Sequence, residues 1–147
     1  MTDTVANIAK GKVAYYAGLP AANDALKAIP LETTGLEADG TLQDYDTVAA
    51  LLAGASNEQT TMGRKTLAGV TVTVDDTNNR VDVDCTDPVW TAATGNAVSR
   101  LLVCYDPDTT ASSDANNIPL VILDFVATPA GGDITYQVAA GGFYRAS

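Results

Sequence analysis

The chain has 147 residues, of which 18 are acidic and 8 basic, a formal charge of −10, and no histidine. That length suits one domain with its own core, built without disulfides or metals, and the negative charge opposes binding to nucleic acid or to an anionic membrane surface. The missing imidazole removes Ser-His-Asp and Cys-His catalysis and histidine-ligated zinc. No apolar run approaches the length of a spanning helix, and the first ten residues lack a basic region followed by an unbroken apolar one, so the expectation is synthesis in a cytosol without a secretory signal.

Residues 10–17, Lys-Gly-Lys-Val-Ala-Tyr-Tyr-Ala, read as a first strand ended by Gly18 and Pro20. Tyr15 and Tyr16 then point to opposite sides, one ring inward and one outward as a contact candidate. Residues 28–32 form a short second strand, which Pro30 assigns to an edge or a bulge. Thr41 is placed as an N-cap with Asp44 three residues on. From there Leu42, Tyr45, Val48, Ala49, Leu51 and Leu52 make one apolar stripe that Gly54 ends, predicting a single helix of about three turns. Residues 63–67 are a further strand.

The clearest element is the hairpin over residues 70–84. Val70, Val72 and Val74 alternate with Thr71 and Thr73, and Val81 and Val83 with Asp82 and Asp84, so one face is expected in the core and the other in water. Asp75 to Arg80 supplies a tight, Asp- and Asn-rich connection. Residues 86–90 turn the chain, with Trp90 as a core plug rather than a sugar-stacking platform. Residues 98–105 carry Leu101, Leu102, Val103 and Cys104 in succession, without alternation, which predicts a strand covered on both faces. Residues 118–125 give another strand, and 133–138 and 143–146 a last pair around Gly141 and Gly142. The sum is a mainly β fold, a β-sandwich or small β-barrel of about seven to nine short strands with one inserted or end-packed α-helix.

Chemistry is harder to place. Cys85 and Cys104 have neither zinc spacing nor a basic neighbour, and a reduced, buried pair is expected over a disulfide. No glycine-rich loop stands between a strand and a helix, so no cofactor is expected. Asp75, Asp76, Asp82, Asp84 and Asp87 raise the question of a glycosidase-like pair, but alternation puts Asp82 and Asp84 on the outward face, where carboxylates stay ionised. The twelve-residue stretch from Asp106 to Asn117 is long enough for a contact loop. Asp106, Asp108 and Asp114 offer hard oxygen ligands there, without the spacing, central glycine and closing glutamate of an EF-hand, and a plain acidic loop is preferred to a calcium site.

The blocks Lys10-Gly-Lys-Val-Ala-Tyr-Tyr, Gly35-Leu-Glu-Ala-Asp with Asp44-Tyr-Asp-Thr-Val-Ala-Ala, Arg64-Lys-Thr-Leu with Gly69-Val-Thr-Val-Thr-Val-Asp-Asp, Leu102-Val-Cys-Tyr-Asp, Ile118-Pro-Leu and Gly142-Phe-Tyr-Arg-Ala-Ser carry a likeness along nearly the whole chain. In them it resembles small virion structural proteins of tailed bacteriophages, most of all the decoration or cement proteins of the head. The resemblance implies a non-enzymatic protein assembled in the host cytoplasm and sited on the capsid surface. Its implied partners are the major capsid protein and further copies of itself, as trimers or clusters over subunit junctions. Intersubunit contacts would then fall on Tyr15 or Tyr16, on residues 1–9, on Asp106, Asp108 and Asp114 of the long loop, and on Phe143, Tyr144 and Arg145. A minor tail or neck component is the alternative, and a carbohydrate-binding or glycan-cleaving module at the host surface a third reading.

Overall fold

The computed structural model describes residues 3–147, and among them the fold is mainly β, with ten strands in three antiparallel sheets and a few short helices. The largest sheet is built on β2 (Ala25–Glu32), β7 (Val98–Asp106) and β8 (Ile118–Ala127), flanked by the short β1 (Thr4–Val5) and β3 (Lys65–Thr66) in the order β1-β8-β7-β2-β3. The run Leu101 to Cys104 within β7 has the meaning expected of it: all nine residues of the strand are buried, Ser99, Arg100 and Asp106 included. Leu101 and Val103 enter a core on one face, while Leu102 and Cys104 enter a second core on the other.

The second core is closed by α2 (Asp39–Leu42) and α3 (Val48–Ala53), through Leu42, Val48 and Leu51. The first is closed by a three-stranded sheet of β4 (Thr71–Asp75), β5 (Arg80–Asp84) and β10 (Tyr144–Ala146), by the two-stranded β6 (Val89–Trp90) and β9 (Ile134–Thr135), and by α1 (Val13–Ala17). Cys85 belongs to the first core and Cys104 to the second, so the central sheet separates the two thiols and both are free. Burial raises both, to about 11 for Cys85 and about 12 for Cys104, which keeps them protonated and inert.

Several local expectations change. Residues 10–17 hold no strand: a 3-10 turn (Asn7–Ala9) leads into α1, whose buried Val13 and Ala17 lie one helical turn apart. Alanine at 14 and 17 favours helix, and the run is too short for alternation to separate the two states. The single helix over residues 42–52 is two. The Gln43 carbonyl, which in a continuing helix would accept from Thr47 N, accepts instead from Asn7 N at 2.7 Å, and the Asp44 carboxylate takes the Asn7 amide, so the N-terminal turn ends the first of them. Thr47, extended and accepting from Ala50 N at 3.1 Å, caps a new start, whereas Thr41 lies inside α2.

Pro30 sits inside a strand with neighbours on both sides, but its carbonyl accepts from Gln59 N on the side away from β7. Its missing N–H faces that same side, past the end of the ladder with β3, so no sheet bond is lost. A register shift follows at once, between Leu31 and Glu32. The last two segments do not pair with each other: β9 lies on β6 and β10 on β5. Gly142 makes the second pairing possible, with φ at 87° and a position where a Cβ would lie 2.1 Å from the Val83 carbonyl oxygen.

Candidate functional site

The hairpin turn closes as its composition dictates. The Asp75 carboxylate accepts from Thr77 N and Asn78 N, and Asn79 takes the left-handed conformation at φ 51°. Its valine face is core only in part: Val83 is buried, but Val72 is exposed and Val74 is 66 % exposed, because β4 runs past the edge of the body. On the opposite face Asp82 is paired rather than solvated: it accepts from Arg145 Nε at 2.6 Å and forms an ion pair, without a hydrogen bond, with Arg80 Nε at 3.0 Å.

The long loop is tied down by its own acids. Asp106 is buried and receives Lys27 Nζ at 2.5 Å, Ser112 Oγ at 2.6 Å and Asp108 N at 3.1 Å. Asp108 accepts from Thr110 N and Oγ1. Asp114 takes both ends of the Arg64 guanidinium at 2.6 and 2.9 Å, while Glu58 holds the rest of the fork. Main-chain bonds from Val48 and Ala49 to Asn117 and Asp114, and from Thr109 to Asn23, complete the attachment. The three carboxylates thus turn to separate partners, and among the described residues no group of three or more His, Cys, Asp or Glu is arranged to hold a metal ion.

These contacts set a pH response. Burial pushes the Asp106 carboxyl up, but bonds from Lys27, Ser112 and Asp108 outweigh it and leave the group below the ordinary aspartate value. Thr110 lowers Asp108, and Arg64 lowers Asp114 against its partial burial. A carboxyl lowered by folding binds its proton more readily in the unfolded chain, so its contribution is complete above the unfolded value of about 4 and is lost as pH falls through the lower folded value. Urea midpoints are therefore expected to hold from neutral pH down to about 5 and to drop below about 4. Asp114→Asn, missing a half-exposed ion pair worth about 0.5–1 kcal/mol, starts below the wild type, and the gap closes in acid; a gap that widens in acid would contradict the assignment.

The other sequence candidates are spread over the surface. Tyr15 is 63 % exposed on α1, while Tyr16 lies against Tyr105, whose hydroxyl donates to Asp24. The inward and outward split of the two rings survives although the backbone is helical. Phe143 is buried in the core, Tyr144 is half-buried in β10, and Arg145 is exposed beside Asp82. Met1 and Thr2 lie outside the described residues, and the segment after them serves its own domain: Thr4 and Val5 pair with Ile122 and Val121, and Asp3 accepts from Asp124 N. Each terminal segment named above as a contact candidate thus contributes an edge strand to this fold, β1 and β10.

Two concavities bear on ligand binding. The cavity between central sheet and hairpin sheet, lined by Leu67, Cys85, Leu101, Leu123, Tyr136 and Phe143, has room for about one water, at ≈ 10 Å³. An open depression beside α2 carries Glu37 and Asp39, and both carboxylates are engaged from within, Glu37 by Tyr45 and Ser56 and Asp39 by Arg100. What sequence reading missed is the outer edge of β4, for alternation alone does not say which arm of a hairpin overhangs the body. No described helix is long and apolar enough to cross a membrane. Comparison with protein-family models, curated proteins and solved structures finds no match to this chain.

Proposed function

We propose that the chain is a non-enzymatic structural protein of a tailed-phage virion, a decoration protein that binds the outer surface of the capsid across junctions between major capsid subunits. The observation that carries this reading, beside the sequence blocks that suggest it, is the pinned loop over residues 106–117. Its carboxylates are consumed by Lys27, Arg64 and neighbouring hydroxyl and amide groups, so the loop is held in one shape. A surface ordered in advance loses little entropy on docking, which suits a module that has to clamp several subunits at once. Stabilisation of the shell then follows from mass action, and repeated weak contacts on one particle add through avidity.

The formal charge of −10 supports a place outside the head, away from packaged nucleic acid. Copy number tests the location: quantitative mass spectrometry of purified virions is expected to find hundreds of copies per particle, in proportion to the major capsid protein. A few copies per particle would overturn the capsid reading in favour of the tail or neck.

A further inference from the structure

The outer edge of β4 has no strand partner among the described residues. In the order β10-β5-β4 the strand bonds β5 on one side only. The Val83 carbonyl, which accepts from Phe143 N at 2.9 Å, points toward β10. Alternate residues serve the two edges of a strand, so Arg80, Asp82 and Asp84 face β4, and Thr71, Thr73 and Asp75 answer them. The N–H and C=O groups of Val72 and Val74 are left pointing outward, beneath two exposed apolar side chains. Edges of this kind are usually guarded by a lysine, a proline, a bulge or a covering element. Between Thr71 and Val74 there is no charge, no proline and no register shift.

We propose that this edge pairs antiparallel with β4 of a second copy, about a two-fold axis at Thr73. In that register Val72 of each copy faces Val74 of the other in hydrogen-bonded pairs, which uses all the outward groups of both valines. Thr73 faces Thr73, and Asp75 faces Thr71, so no carboxylate meets a carboxylate. Valine side chains from both copies join the row that Val81 and Val83 begin, and one six-stranded sheet results. The same short stretch supplies both halves of the seam, which is what a two-fold contact requires and what a foreign strand would have to imitate. Charge opposes approach of two copies at −10 each, and this repulsion is screened beyond about 8 Å at physiological ionic strength, so the dimer strengthens as salt is raised.

The seam is short against the ~1,600 Å² of a standard interface, so the association is weak and concentration-dependent. In sedimentation equilibrium from about 5 µM to 1 mM the mass is expected to climb from 15.1 kDa toward twice that value. Val74→Pro deletes an N–H that the single copy does not use, so it keeps the circular dichroism and melting of the wild type and stays at the mass of one copy. Thr73→Cys is expected to oxidise to a disulfide-linked dimer, since facing residues of a non-hydrogen-bonded pair lie within disulfide reach, and Thr71→Cys is not. A wild-type mass that never rises overturns the proposal, as does a folded Val74→Pro that dimerises like the wild type. The seam is measured on purified protein without capsids, so it stands or fails separately from the capsid reading.

Discussion

Asp39→Ala is expected to cost the fold about 3–5 kcal/mol, more than Arg100→Met costs at the other end of the same interaction. Arg100 is fully buried on the helix-facing side of β7. Its Nε and Nη2 atoms donate to Asp39 at 2.6 to 3.0 Å, and Nη1 donates to Asp124 at 2.9 Å. The carboxylates keep water contact, with side chains 33 % and 41 % exposed, while the guanidinium has none. Removing Asp39 leaves a buried cation with one partner. Replacing Arg100 by methionine leaves two carboxylates that solvent reaches and fills the space with an apolar chain of similar length, a change that is often close to neutral. Urea unfolding of both variants decides the matter, and Arg100→Met proving the more damaging would reverse the account of where the charge is trapped.

Trp90→Ala is expected to cost about as much, roughly 3–5 kcal/mol, for a different reason. The indole is 1 % exposed, stacks on Phe125 with ring centroids 5.5 Å apart, and donates Nε1 to the Gly63 carbonyl at 2.9 Å. Truncation leaves a cavity between the two β layers and takes the donor from a part-buried carbonyl. Trp90→Phe restores most of the volume but not the donor, so it is expected to lose about 1–3 kcal/mol. A Trp90→Ala protein as stable as Trp90→Phe would show that the layers close over the gap.

The mainly β class was legible because its strongest signals are local. Valine alternation on either side of Asp75 and Arg80 defines a hairpin, and the run from Val98 to Tyr105 defines a strand buried on both faces, whatever lies around them. The helices were not, since their limits are set at a distance. Asn7 takes the Gln43 backbone carbonyl that would have carried α2 on toward α3, and holds the Asp44 carboxylate beside it, across more than thirty residues of sequence. Residues 133–146 illustrate the same point: two glycines suggest a hairpin, yet both strands find other partners, because Gly142 admits the chain against Val83.

Of the candidate contacts, one outward ring in the pair Tyr15 and Tyr16 was readable, for adjacent aromatics diverge on a helix as on a strand, but that it is Tyr15 follows only from the way α1 packs. Asp106, Asp108 and Asp114 were visible as a cluster, but their roles as ties to Lys27, Thr110 and Arg64 depend on pairings that sequence distance hides. Phe143 follows a glycine pair and reads as a surface residue until the strand it precedes is seen to fold back onto the core.

The capsid reading is tested most directly by adding the purified protein to empty capsids that lack it and imaging the particles by electron cryo-microscopy. Regular density over junctions between major capsid subunits, with the loop of residues 106–117 against the shell, is the predicted result. A bare lattice at saturating protein, or density confined to the tail vertex, would contradict it.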